Sequence, residues 1–336
     1  MNFTKQMILA LTFIFLFCKP VLSQDIPWES LYAQAGQLIN EGKFEDGTRI
    51  ARKALKAAEL TTDQKDLKVA LSLKVLIHYF MLQGKFKEAE PFVQQAAGIA
   101  QDDANMLNNL AMIYTEAGNF PEAEKISERA VHLAEMKFGS NSSEMTESLS
   151  TLAGVYRTEG KYEQALPLYE RVLDLWKTEL GEKHPNTVFT MGNLGSVYGA
   201  LGEYDRADLL LEKVLSIHKS TLPKDHPTFA LSLRELGKLR IREGRFVAAE
   251  SYLKEALKIQ EKSLGKSHPE VGATLARFGL LYRLQKDFKQ AESFYKRSHK
   301  IFEKVYGADN PYTQDIEKEL QVLGEQRENN AKNRGK

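Results

Sequence analysis

The sequence is poor in the residues that support disulfide frameworks and thiol chemistry. Its 336 residues include a single cysteine, Cys18, and only two tryptophans. One cysteine cannot form a disulfide within the chain, and it excludes a zinc site built on several cysteines. The chain also has no strong charge of either sign, since 46 Lys and Arg residues face 45 Asp and Glu residues. Nucleic-acid-binding proteins usually carry a basic surplus, so we expect no nucleic-acid partner.

An apolar run near the N-terminus, residues 7–17, has 11 residues and is too short to cross a bilayer as a helix, which takes about 20. Lys5 precedes the run, and Val21-Leu22-Ser23 follows it. This order is typical of a secretory signal peptide that is cleaved after Ser23. We therefore expect residues 1–23 to be removed and the protein to be exported, periplasmic or secreted, with no transmembrane segment left. A retained N-terminal anchor is the alternative.

The remaining sequence is dominated by a repeat. A three-residue pattern recurs at 42-residue steps. It consists of a glycine, an aromatic residue two positions later and a small residue three positions after that, as in Gly160, Tyr162 and Ala165. One step is shorter, at 34 residues. The aromatic is present in all seven units, which span residues 34–75, 76–109, 110–151, 152–193, 194–235, 236–277 and 278–319.

Each unit predicts two amphipathic helices. Apolar residues recur at helical spacing in both halves, and the glycine between the halves suits a left-handed helix end. In the last unit Lys286 stands where the glycine belongs, so we expect a strained or altered turn that costs about 1 kcal/mol. Residues 311–323 predict one further capping helix. We expect Gly324 to end that helix and the polar residues 325–336 to be disordered.

This pattern resembles the tetratricopeptide repeat, and its 42-residue form resembles the kinesin-light-chain type. The resemblance covers residues 34–319 and implies an all-α, right-handed α-solenoid of seven helix-turn-helix units plus the capping helix, over residues 24–324. It also implies that the first helix of each unit lines a concave groove for a peptide or partner protein. Asn109 and Asn193 directly precede Leu110 and Leu194, the leucines that open the following units, as do the asparagines that bind the ligand backbone in relatives.

The same register places a basic wall beside small side chains in the groove. Its members are Arg157, Arg234, Lys238, Arg242, Arg277 and Arg283. Arginine and lysine bind carboxylates well, so the wall favours an acidic segment or a free C-terminus as the ligand. The alternative is that these are ordinary solvated charges, some of them paired with nearby acids such as Glu235.

Three histidines that lie 42 residues apart, His184, His226 and His268, are each followed by proline. We interpret them as helix caps or loop-packing residues rather than as metal ligands, because equivalent positions of successive units lie too far apart to share one ion. The sequence contains no zinc-protease, nucleophile-elbow or dinucleotide-binding motif. We therefore expect no enzyme activity, no cofactor and no metal.

Together these features predict an exported, non-catalytic scaffold for protein–protein interaction. The alternative is a regulatory subunit of a secreted or envelope enzyme or assembly complex. Binding of a glycan would need exposed aromatic platforms along the groove, and the sequence offers few.

Overall fold

The protein is described by a computed structural model over residues 27–41, 43–62, 65–83, 85–99, 103–116, 118–308 and 310–334. The expected signal peptide, residues 1–23, lies outside these residues. So do the turn glycines Gly42 and Gly84 of the first two units.

The residues described form fifteen α-helices and no strand. Fourteen helices make seven antiparallel pairs, and the fifteenth follows the last pair, which confirms the predicted all-α repeat solenoid. The helices are α1 Trp28–Asn40, α2 Phe44–Leu60, α3 Lys65–Leu82, α4 Phe86–Ile99, α5 Ala104–Glu116, α6 Phe120–Phe138, α7 Ser143–Glu159, α8 Tyr162–Leu180, α9 Pro185–Leu201, α10 Tyr204–Thr221, α11 Pro227–Arg242, α12 Phe246–Ser263, α13 Pro269–Leu284, α14 Phe288–Tyr306 and α15 Pro311–Arg334.

In the third to seventh pairs, where the turn residue is described, the turn inside the pair has the left-handed backbone that the glycines predict. Gly160 and Gly202 end α7 and α9 with φ values of 91° and 83°. At the same position of the last pair, Lys286 has a φ of 62° and is the only non-glycine residue with positive φ in the described part of the chain. A side chain in this conformation is strained, so the strained turn expected at Lys286 is confirmed, and its energetic cost stays a prediction.

Replacing Lys286 with glycine is expected to raise the free energy of unfolding by about 0.5–1 kcal/mol, because the relief of strain exceeds the flexibility added to the unfolded chain. Urea denaturation of both proteins measures the difference. Gly244→Lys is the matched control, since Gly244 occupies the same turn with a φ of 74° and should lose stability by a similar amount. Equal stability of the Lys286→Gly variant and the parent would contradict the strain.

The three histidines begin helices as expected. His184, His226 and His268 are the N-caps of α9, α11 and α13, with proline as the next residue. In each case the Nδ1 atom accepts a hydrogen bond from the backbone nitrogen two residues later, at 3.2 Å. The predicted capping role is confirmed.

Tyrosines at one position of the first helices connect successive pairs. The Tyr156 hydroxyl donates to Glu124 at 3.0 Å, and the Tyr282 hydroxyl donates to Glu250 at 2.8 Å. In both bonds the acid lies 32 residues earlier, on the second helix of the preceding pair. Tyr198 makes the same kind of bond with Glu170, also on the second helix of the preceding pair.

In α11 an arginine, Arg240, replaces this tyrosine. Its side chain is 5% exposed and forms ion pairs with Asp208 and Glu243. Asp208 also lies 32 residues earlier in the chain, so the junction keeps its acid and changes only the donor.

These tyrosines make the fold sensitive to alkaline pH. Burial, followed by the hydrogen bonds to Glu124, Glu170 and Glu250, raises the pKa values of Tyr156, Tyr198 and Tyr282 to about 12. A tyrosine in the unfolded chain ionises near pH 10. The stabilisation is therefore present below pH ~10 and is lost as the pH rises towards ~12.

We expect the free energy of unfolding, measured in urea, to fall between pH 9 and pH 11. The fall should be smaller in a Tyr156→Phe, Tyr282→Phe variant, because phenylalanine has no proton to lose. An identical pH dependence in the parent and the variant would contradict the assignment.

The C-terminus differs from the prediction. Helix α15 does not end at Gly324 but continues to Arg334, so the expectation of a disordered tail from residue 325 is wrong over residues 325–334. An interior glycine costs a helix only about 1 kcal/mol, and this cost does not force an end. The ion pair between Arg327 and Glu292 of α14 ties the polar extension to the last pair.

The two ends of the array also meet. The Phe44 ring, at the start of α2, stacks on the Tyr306 ring, at the end of α14, with centroids 5.5 Å apart. Both rings are buried. The first and last pairs thus share one aromatic contact.

Candidate functional site

Side chains from the first helices α7, α9 and α11, together with Leu211, Val214 and His218 of the second helix α10, line a cavity of about 270 Å³. We call it the basic cavity. Four of the seven predicted site residues meet there, namely Arg157, Asn193, Arg234 and Lys238. The small residues Gly192 and Ser196 lie beside them, as the register predicts.

Acidic side chains balance part of this charge. Arg234 forms an ion pair with Glu270, from the first turn of α13. The Lys238 Nζ atom lies 3.3 Å from Glu235 Oε2 and 3.4 Å from Ser196 Oγ. Arg234 and Lys238 are thus held in place by partners from three helices.

The electrostatics of the cavity centre on Glu235. Burial raises the pKa of the Glu235 carboxyl, but Lys238, Arg234 and Arg277 outweigh burial and bring that pKa below its ordinary value. Burial lowers the pKa of the Lys238 ammonium, and the charges of Arg277 and Arg242 lower it further. The negative charge of Glu235 acts in the opposite direction but does not restore the ordinary pKa of Lys238. The cations here are therefore less well neutralised than the carboxylate.

Arg277 belongs to the same cluster, although it lies outside the lining of the basic cavity. Burial lowers the pKa of its guanidinium, and the charges of Arg234 and Arg242 add to this effect. Four positive charges in this cluster face two negative ones, which leaves a surplus of two positive charges. The cations are Arg234, Lys238, Arg242 and Arg277, and the acids are Glu235 and Glu270. This arrangement favours an added anion.

Asn109 lies in a neighbouring cavity of about 330 Å³, which we call the polar cavity. It is lined mainly by amide and hydroxyl side chains, including Asn105, Ser150 and Thr151. The Asn109 Oδ1 atom accepts a hydrogen bond from Lys74 Nζ at 2.6 Å. The two predicted asparagines, Asn109 and Asn193, are therefore placed in different cavities.

Arg283 does not join the other predicted site residues. Its Nε atom lies 3.3 Å from Glu319 Oε2, on the capping helix α15. The hydroxyl of Tyr295 donates to the same carboxylate at 2.9 Å. Arg283 therefore links the last pair to the capping helix, a role that the repeat register could not indicate.

Sequence reasoning missed two residues of the site. Phe189 is 66% exposed and lines both the basic and the polar cavity. Its signal was its place four residues before Asn193, on the same face of α9. Glu270 was missed because its partner Arg234 lies 36 residues away, and pairing over that distance leaves no local pattern.

Seven stacked helix pairs with a charged groove define a helical-repeat solenoid, a class of proteins whose extended surfaces bind other proteins. A comparison with protein-family models matches the tetratricopeptide repeat over residues 102–166, 144–220 and 228–313, together more than half of the chain. The chain belongs to the tetratricopeptide repeat family, and its repeats are of the kinesin-light-chain type. This fold is typically a non-catalytic interaction scaffold.

Solved structures agree with this assignment. A kinesin-light-chain-type protein of P. anserina with nearly identical TPR-like repeats is 26% identical, with a TM-score of 0.50 over 60% of this chain and 95% of that one. BtubC from P. vanneervenii is 20% identical, with a TM-score of 0.50 over 71% of this chain and 93% of that one. A Rap protein complexed with competence and sporulation factor is 15% identical, with a TM-score of 0.59 over 90% and 87%. The last two show the fold alone.

A search of curated proteins finds no significant match to the sequence. Among the residues described, no helix combines the length and the apolar character needed to cross a membrane.

Proposed function

We propose that the protein is an exported, non-catalytic scaffold that binds an acidic segment or C-terminus of a partner protein in its groove. The observation that carries this proposal is the surplus of positive charge around Glu235, formed by Arg234, Lys238, Arg242 and Arg277.

The chemistry of these groups supports a carboxylate ligand. Burial is the main reason why the pKa values of Lys238 and Arg277 are lowered, and neighbouring arginines lower them further; an incoming carboxylate would relieve this like-charge repulsion. Arginine presents several N–H donors in one plane and can bind a carboxylate through two of them. Phe189, exposed at the border of the two cavities, offers an apolar contact to a side chain next to the acid. Asn109 and Asn193 offer amide groups to the backbone of an extended ligand.

Export is the second part of the proposal. It is supported by the order of Lys5, the apolar run 7–17 and the small residue Ser23. Expression of the whole chain with its own N-terminus, followed by cell fractionation and N-terminal sequencing, tests this part. A cytosolic protein that still begins at Met1 would contradict it.

Ligand binding is tested by fluorescence anisotropy with labelled ten-residue peptides of glutamate and serine at low salt. One peptide has a free C-terminus and the other an amidated one, so that a preference for a terminal carboxylate is visible. The triple variant Arg234→Glu, Lys238→Glu, Arg277→Glu is expected to bind at least tenfold more weakly than the parent.

The matched control is Lys219→Glu, Lys258→Glu, Lys289→Glu, which makes the same change of charge at exposed positions of the second helices. Because Arg234→Glu also breaks the ion pair with Glu270, the single variant Arg242→Glu provides a milder test at an exposed position of α11. Circular dichroism establishes that all variants fold. If the triple variant and the control bind equally well, the basic cavity is not the site.

A pull-down from cell extract with the parent and the triple variant then identifies the partner, including an enzyme that the scaffold regulates.

A further inference from the structure

The contact between the two ends of the array is built from aromatic rings that each end anchors separately. Phe44 also meets the Tyr79 ring edge-on at 6.3 Å, within the first two pairs. Tyr306 meets the Phe302 and Tyr312 rings, each at 5.7 Å, at the other end. Between the ends, the rings of Phe44 and Tyr306 stack with an interplanar angle of 11°. We call this stacked pair the seam.

The surroundings of the seam are open and charged. Beside the rings lies a cavity of about 610 Å³ whose lining comes from both ends, including Lys85 and Lys304. Two charged residues of this lining pair within their own end: Lys43 with Glu41 at 2.7 Å, and Asp46 with Arg49 at 2.7 Å. The ring stacking therefore carries much of the contact, and a single stacked pair is weaker than the helix–helix interfaces inside the array.

The array also has a place at which it can bend. Helices α4 and α5 have 14 and 13 residues, whereas α6 to α14 have 16 to 19. Helix α1 also has 13 residues, but it pairs with the 17-residue α2. Among the described helices, two short ones follow each other only at the junction between the second and third pairs, and because shorter helices bury less surface against each other, this junction bends most easily. It lies between Phe44 and the groove helices that line the basic cavity.

We propose that the seam is a latch, which closes the array around its groove when Phe44 stacks on Tyr306 and gives lateral access to the groove when the rings part. It follows that the occupant enclosed by the closed array is an extended polypeptide segment rather than the surface of a folded domain. This second part rests on the function proposed above, whereas the latch itself does not. The two states differ in whether these two rings are stacked and buried, so a ligand that binds one state better shifts the balance towards it.

The latch is tested without any ligand by a distance measurement between two spin labels. The labels are placed at Lys85→Cys and Lys304→Cys, one on each side of the seam, in the whole chain with Cys18→Ser. We expect a short-distance population in the parent. Phe44→Ala and Tyr306→Ala should each reduce that population at least threefold, and the double variant should reduce it no further than either single variant.

The matched control is Phe246→Ala, since Phe246 begins α12 at the register position that Phe44 occupies in α2. It should leave the short-distance population unchanged. Circular dichroism and thermal unfolding show whether each variant remains folded. A parent with only long distances would overturn the latch, and so would folded Phe44→Ala and Tyr306→Ala variants with the parent's distribution.

The occupant is tested by linking the same two cysteines with a bis-maleimide and adding the glutamate and serine peptide. The bare peptide should bind linked and unlinked protein alike, because it can enter along the axis. The same peptide with a folded domain at each end should bind the linked protein at least tenfold more slowly. Equal rates for the doubly flanked peptide would overturn the enclosed occupant. If the bare peptide binds neither form, the proposed function fails, and the spin-label distances alone decide the latch.

Discussion

Replacing Arg240 with alanine is expected to lower the free energy of unfolding by about 3 kcal/mol. The Arg240 side chain is 5% exposed, and its guanidinium pairs with Asp208 and Glu243. Alanine removes the donor and leaves both carboxylates without their main partner at a junction between helix pairs. Breaking such a pair costs about 3–5 kcal/mol when all groups are buried. We take the lower end, because Asp208 is about one-third exposed and water can solvate it.

Arg240→Tyr is the informative companion of this variant. Tyr156 and Tyr282 occupy the same position in other pairs and donate to the acid that lies 32 residues earlier. A tyrosine at 240 should therefore reach Asp208 and recover at least half of the loss. Urea denaturation of the parent and both variants measures this. If alanine and tyrosine destabilise equally, the junction does not depend on a donor at this position.

The second large effect is expected at Gly47. The other six units have alanine at this position, so a comparison of repeats suggests Gly47→Ala as a stabilising change: Ala89, Ala123, Ala165, Ala207, Ala249 and Ala291. The structure predicts the opposite. A Cβ atom at Gly47 would overlap the ring of Tyr79, whose side chain is fully buried and whose hydroxyl donates to the Ala35 carbonyl. We expect the free energy of unfolding to fall by about 2 kcal/mol, as for other overpacked cores.

Gly98→Ala is the control for Gly47→Ala. Gly98 lies inside α4 and is exposed, and a Cβ atom there would meet nothing within 4 Å. This change should raise the free energy of unfolding by about 0.5–1 kcal/mol, through helix propensity alone. Thermal and urea unfolding of both variants separates the two effects. A stabilised Gly47→Ala variant would show that Tyr79 can move aside.

The fold was predictable because each unit contains, within a short stretch of sequence, the residues that define its two helices and the turn between them. The turn glycine, the aromatic and the small residue act within a few positions of one another, so a single unit such as 152–193 already defines a helix pair. The end of α15 was not predictable in this way. Gly324 is a residue that often ends a helix, but a glycine can also lie inside one. The helix continues past Gly324, and its extension is held by the ion pair between Arg327 and Glu292, which lies 35 residues earlier in the chain.

The site was predictable only where the register alone determines it. Arg157, Asn193, Arg234 and Lys238 share one face of neighbouring first helices, and the structure brings all four to one cavity. Arg283 has the same register, but its neighbour is the capping helix rather than another repeat, and Glu319 pairs with it. The positions of the charged residues along the groove could therefore be predicted from the repeats. Their ion-pair partners could not, because some of them lie on elements such as the capping helix that are not part of a repeat.

The tyrosine–carboxylate bonds between pairs also bear on how such a chain can change its length. Deleting residues 152–193 would bring Tyr198 to the position that Tyr156 now holds, with Glu124 again 32 residues before it. The junction would be rebuilt from a donor and an acceptor that never met in the parent. Duplication or loss of a whole unit in the course of evolution thus preserves the hydrogen bond between the neighbouring helix pairs. The array can gain or lose units by unequal recombination without the need for a new kind of interface.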